Sequence, residues 1–179
     1  MTELRAFQAR LSGTGGQGLG LGGRLLANAL VADGMQVAQS QSYEPTSRGG
    51  SSRSDLVVSD SAVDYPLVTE LDFLVLLDQR ALEDSSALMR RDGLAIVDAQ
   101  YVNEPPTGSF ETRVLPLVDA ARELGNVRVA NVVSLGALAA LGGICHMKTL
   151  ENAVANSAPA KFRTLNLAAL HAGQRLAAA

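Results

Sequence analysis

The sequence predicts a single three-layer α/β domain: a mostly parallel sheet, helices on both faces and a Rossmann-like glycine loop after the first strand. Strand-like and helix-like runs alternate along the whole chain, the pattern of parallel strands joined by crossover helices. A glycine cluster stands between the first strand and a helix, and two apolar strand runs each end on an aspartate, Asp78 and Asp98. With 179 residues, 47% of them hydrophobic, the chain is long enough for one full core without a disulfide or metal staple.

Each element follows in order. Phe7, Ala9 and Leu11 alternate with Gln8 and Arg10, which is strand periodicity. A helix is expected from about Gly18 to Asp33, where Gly34 stops it. Met35, Val37 and Ala38 give a short second strand, followed by the polar stretch QSQSYEPTSRGGSSRSD, residues 39–55. Leu56-Val57-Val58 is the core of a third strand, and Pro66 opens a short helix through Leu71. FLVLL, residues 73–77, is the strongest buried strand. A helix from about Arg80 to Arg91 stops at Gly93, and LAIVD, residues 94–98, is the next strand. After a loop with Pro105-Pro106 and Gly108 come a short strand at Val114-Leu115 and a helix from Leu117 to Leu124, stopped by Gly125-Asn126. Val127, Val129 and Ala130 read as a further strand ending at Asn131. The apolar run 132–143 is too short to span a bilayer and reads as a buried or interface helix. A helix follows with Thr149 as its cap, and an amphipathic helix runs from Ala160 toward Arg175. No repeat or linker divides residues 1–179.

Composition narrows the function classes. A net charge of −3 speaks against nucleic acid, whose phosphates call for a basic face. Cys145 is the only cysteine, so the chain alone builds neither a disulfide nor a cysteine-ligated cluster, and His146 and His171 make no zinc set. No metal site and no catalytic residue is expected here. The absence of an apolar span and of a signal-like N-terminus predicts a cytoplasmic protein without a membrane partner. High alanine content without tryptophan fits a chain stabilised in part by assembly.

LSGTGGQGLGLGG, residues 11–23, holds seven glycines. Such density serves a tight turn or a close approach, and a helix N-terminus favours anions. Gly13, Gly15 and Gly18 satisfy G-x-G-x-x-G between strand and helix. The other reading is a turn that lets the helix pack tightly on the sheet. A nicotinamide-binding fold needs an acid at the end of the second strand, where Ala38-Gln39-Ser40-Gln41 stands instead, and no Gly-Lys-Ser/Thr follows for an ATP loop. Arg48-Gly49-Gly50-Ser51-Ser52-Arg53 offers two arginines around a glycine pair, an anion concavity or else a solvated surface loop.

GTGGQG after the first strand, SYEPTSRGG after the second and NVVSLGALAAL near the end resemble the gamma subunit of 2-oxoacid:ferredoxin (acceptor) oxidoreductases, the pyruvate/2-oxoglutarate/ketoisovalerate family. The likeness spans nearly the whole chain, including a C-terminal helix with Asn166 and Gly173, although Glu44-Pro45-Thr46 replaces the commoner glycine after Tyr43. The resemblance implies a subunit of a complex that decarboxylates a 2-oxoacid, 2-oxoglutarate or pyruvate, with coenzyme A. The products are acyl-CoA, carbon dioxide and reduced ferredoxin or a similar acceptor. It further implies thiamine diphosphate on the alpha and beta subunits, 4Fe-4S clusters on beta or a separate delta subunit, and coenzyme A at gamma. Carried over, Gly13, Thr14, Gly15, Gly16, Gln17 and Gly18 form the phosphate loop. Arg48, Gly49 and Gly50 form the facing loop, with Tyr43 and Ser47 near it, and Ser47 is counted with the coenzyme A-binding residues. Asn131, Asp78 and Asp98 are left between capping and ligand contact, and Cys145 and His146 are read as packing. A nicotinamide-dependent dehydrogenase domain and a purely structural assembly subunit are the rival readings.

Overall fold

The alternation at Phe7, Ala9 and Leu11 becomes the central strand β1 (Ala6–Thr14) in a computed structural model that describes residues 6–43, 50–157 and 159–179. Among the described residues six strands form one sheet in the order β2-β3-β1-β4-β5-β6. The others are β2 (Gln36–Tyr43), β3 (Ser51–Ser59), β4 (Leu71–Leu76), β5 (Met89–Asp98) and β6 (Glu111–Leu115). β3 runs antiparallel to both its neighbours and every other pairing is parallel, so the sheet is mostly parallel as expected.

The two faces are covered unequally. Phe7, Ala9, Leu11, Phe73, Val75 and Ile96 point into one large core. Over it lie α1 (Leu19–Ala32), α3 (Leu117–Glu123), α4 (Ala130–Gly142), α5 (Met147–Ser157) and α6 (Ala160–Ala178). The opposite face carries Leu74, Leu76, Ala95 and Val97 under a 3-10 turn, Gln79–Ala81, the one-turn helix α2 (Glu83–Ser86) and the loop bearing Val102 and Phe110. There the alternation of β1 also buries a charge: Arg10, 3% exposed, pairs with Asp55 at 2.7 and 2.8 Å and donates to the Asp84 carbonyl. Ser85 on α2 donates to Ser12 beside it.

α4 and α6 meet at two glycines. A Cβ added at Gly173 would run into the Val133 carbonyl oxygen, and one at Gly136 into that of Leu170, so backbone touches backbone there. This close contact buries residues 132–139 of the apolar run, and Leu135 and Leu138 are almost fully inaccessible.

Four sequence expectations need correction. The stretch after Pro66 is irregular until β4 begins at Leu71, and no helix forms. The helix expected over 80–91 shrinks to the 3-10 turn and α2, because β5 starts at Met89 and runs through Gly93 over a register shift, with Asp92 left-handed at φ 64°. Residues 127–129 are a 3-10 turn rather than a strand: the Asn126 side chain accepts from Arg128 N at 3.0 Å, a local bond that competes with extended structure. Thr149 lies inside α5, whose amino end is held instead by Asp33, which accepts from His146 N and the Thr149 hydroxyl. The polar stretch is also more ordered than its composition suggests. Gln39 and Gln41 lie in β2, paired with Leu56 and Ser54 of β3. The Gln39 amide donates to Ser54 Oγ and to the Gly20 carbonyl, in space left by the glycines of α1.

Candidate functional site

In open α/β sheets the ligand crevice opens outside the carboxyl ends of the strands, where connections leave in opposite directions. Here β1 feeds α1 over the large core, whereas β4 feeds the 3-10 turn and α2 on the other face. Between these two exits lies a cavity of about 290 Å³ bordered by Thr14, Gly16 and Gln17 from the first loop and Asp78 and Arg80 from the second. Tyr101 and Arg128 close it.

The loop divides its labour by residue. Gln17 is a brace: its Oε1 accepts from Thr14 N at 2.7 Å and its Nε2 donates to the Leu77 carbonyl at 3.1 Å, tying the loop to the end of β4. Gly13 is where that brace passes, since a Cβ there would meet Gln17 Oε1. Gly16 and Gly18 have φ of 91° and 72°, a region glycine enters without penalty. Their N–H groups have no acceptor among the described residues. A Cβ on Gly15 would meet nothing within 4 Å, so space is open above it.

Asn131 fixes the loop from α4. Its Nδ2 donates to Gly18 O at 2.8 Å, and its Oδ1 accepts from Val132 N. Gly50 is brought to the loop as expected, its carbonyl accepting from Gly15 N at 3.3 Å, with Thr14 paired to Ser51 in the adjoining strands. Ser47, Arg48 and Gly49 lie outside the described residues, as do Glu44, Pro45 and Thr46.

Asp98 is fully engaged as a cap: one oxygen accepts from Gln100 N and Tyr101 N, the other from Val118 N at 2.8 Å. Asp78 binds Arg80 through both oxygens at 2.9 Å. Burial works to raise its pKa, but the hydrogen bonds from Arg80 and from the Thr14 hydroxyl outweigh burial and hold the carboxyl below its ordinary range. This anion is already neutralised at the mouth of the crevice. Arg128 escaped the sequence reading because it stood inside an expected strand; the Gly125-Asn126 pair before it was the available sign of a capped turn.

Cys145 lies outside the crevice and is 6% exposed. Burial first, and the nearby Asp33 carboxylate second, push its thiol from 9.0 up to about 12. A raised native pKa means that stability is complete below the unfolded value and falls as pH rises from about 9 toward 12. At pH 10 this group alone is expected to cost about 1.4 kcal/mol. Urea titrations at pH 7.5 and 10 read the loss as a difference between wild type and Cys145→Ala; equal losses in both proteins would refute it.

A doubly wound α/β domain with a braced glycine loop at the switch point of its sheet is the class that fold and crevice define. Residues 8–176 match the family described as pyruvate ferredoxin/flavodoxin oxidoreductase, and the chain belongs to that family. It is 38% identical over 184 residues to 2-oxoglutarate synthase subunit KorC of Methanothermobacter thermautotrophicus, covering 98% of this chain and 97% of that one. The gamma subunit of the keto/oxoacid ferredoxin oxidoreductase from Geobacter sulfurreducens superposes with a TM-score of 0.88 at 38% identity, over 97% of both chains. The fold also matches 2-oxoglutarate:ferredoxin oxidoreductase from Magnetococcus marinus, solved with 2-oxoglutarate, coenzyme A and succinyl-CoA bound. That TM-score is 0.86 at 22% identity, over 98% of this chain and 32% of that one. The resemblance read from the motifs is therefore borne out: this is a gamma-type subunit of a multisubunit 2-oxoacid:ferredoxin oxidoreductase. Among the described residues no helix is long and apolar enough to cross a membrane, and no group of three or more metal-ligating side chains occurs.

Proposed function

We propose that this subunit, one gamma domain over residues 1–179, holds the phosphate-bearing part of coenzyme A. The complex it serves converts a 2-oxoacid to an acyl-CoA and passes the electrons to ferredoxin or a similar carrier. The observation that carries the reading is the glycine loop, where the Gly16 and Gly18 N–H groups have no acceptor among the described residues and a Cβ at Gly15 would meet nothing within 4 Å. Backbone donors at a helix start suit phosphate oxygens. Gly13, Thr14 and Gln17 shape the loop, Gly50 backs it, and Ser47, Arg48 and Gly49 belong to the facing segment. Relatives named 2-oxoglutarate synthase favour 2-oxoglutarate over pyruvate as the substrate. In this reading the chain supplies no catalytic group. Thiamine diphosphate belongs to alpha and beta partners, and the 4Fe-4S clusters to beta or delta. The complex works in the cytoplasm, without nucleic acid or a membrane.

Gly15→Val tests the assignment cleanly, because the open space admits the new side chain without a clash inside the domain. Losing charge-assisted hydrogen bonds worth ~1.5–3 kcal/mol corresponds to a roughly ten- to hundredfold rise in KM for coenzyme A. The KM for the 2-oxoacid, taken in the same assembled complex, is the reference. An unchanged KM for coenzyme A would remove the loop from the site.

A further inference from the structure

Among the described residues the sheet ends on β2 at one side and β6 at the other, and the two edges are built differently. β6 is five residues long and carries Glu111 and Arg113, paired with each other at 3.3 Å, with Pro116 directly after it. Short, charged edges resist further pairing. β2 has none of these features. Its eight residues, QVAQSQSY, include no charge, no proline and no glycine. Its register with β3 runs unbroken from Gln36↔Ser59 to Tyr43↔Ser52, without a bulge. In an antiparallel ladder every second residue of an edge strand turns its N–H and C=O outward. Among the described residues no backbone group of β2 bonds to backbone beyond β3. The strand is also held ready. Gln39 donates to Ser54 Oγ and to the Gly20 carbonyl, and Gln41 lies against Gly20, so these two side chains fold over the α1 face. By strand alternation Ala38, Ser40 and Ser42 take the other face, and all three are too short to shield the edge.

We propose that β2 pairs antiparallel with β2 of a second copy of this chain, joining the two sheets into one. A strand without charge meets no like charge when it is laid on its own two-fold image. Recognition of a different chain's strand draws its specificity from side-chain pockets or complementary charge. β2 offers neither, and self-pairing needs only neutrality. Because Gln39 already fixes the strand, pairing orders little that is not ordered before. The contact is isologous: each copy uses the same edge, so the assembly closes at two and leaves only the charged β6 edges outside. None of this depends on what the glycine loop binds.

Sedimentation equilibrium of the full chain at micromolar concentration tests this, and a mass twice that of the chain is expected. Gln36→Lys combined with Gln41→Lys puts like charges on both facing strands and should halve the mass. Both positions are exposed, and lysine keeps the glutamine stem, so the fold has room for the change. Gln36→Glu combined with Gln41→Glu should give the same monomer. An equimolar mixture of the lysine and glutamate variants should return to the doubled mass, because opposite charges then face each other. A strand that was merely destabilised would not be rescued by mixing. A dimer that the lysine variant leaves intact overturns the inference, as does a mixture that stays monomeric. A monomeric wild-type chain overturns it too, and if the lysine variant then also fails to join the complex, the edge belongs to a partner subunit's strand.

Discussion

Replacing Arg10 with methionine is expected to lower unfolding stability by about 3–5 kcal/mol, the cost of leaving a buried charge without its partner. Arg10 and Asp55 are 3% and 6% exposed, and the guanidinium meets both carboxylate oxygens. The only other cation on Asp55 among the described residues is Arg53, 3.8 Å away and partly solvated, which is too distant to take over the geometry. The same substitution removes the donor to the Asp84 carbonyl and so loosens α2 over the sheet. Arg10→Met combined with Asp55→Leu should recover much of the loss, because an apolar pair of similar volume needs no desolvated charge. Urea denaturation of the two single variants and the double variant gives the coupling. A double variant no more stable than Arg10→Met would show that the pair is not the source of the cost.

Gly173→Val should be nearly as damaging through a different mechanism. The new Cβ collides with the Val133 carbonyl on a helix of the core, and no rotamer change relieves a clash with backbone. α4 and α6 must separate, opening the core around Leu135, Leu138 and Leu170. Overpacking at a well-packed site costs ~1–3 kcal/mol, and a backbone collision falls at about the upper figure. Gly125→Ala is the comparison: it sits at φ 86° in a surface turn with open space around it, so its cost is backbone strain alone. A Gly173→Val protein that melts with the Gly125→Ala protein would contradict the close crossing of α4 and α6.

Much of this architecture was legible because apolar periodicity decides it. Ala9, Leu11, Val75 and Ile96 announced their strands, and the glycine loop announced the switch point. What stayed hidden depends on partners distant in sequence. Arg10 read only as a polar position in a strand's alternation, since nothing local shows that Asp55 lies opposite it. Gln39 and Gln41 read as loop because strand patterns are recognised by apolar residues, and their amides fit only against the bare glycine surface of α1. At 127–129 the β-branched valines pointed to a strand, and the Asn126 cap overrode them. The crevice itself was half visible: Gly13 through Gly18 could be placed from the motif, but Gln17 as a brace and Arg128 as a wall required the fold.

The most direct measurement is the structure of the assembled complex with coenzyme A bound. Phosphate oxygens are expected within hydrogen-bonding distance of the Gly16 and Gly18 N–H groups, above an unobstructed Gly15. Coenzyme A phosphates bound elsewhere, with the glycine loop facing only solvent or a partner subunit, would contradict it.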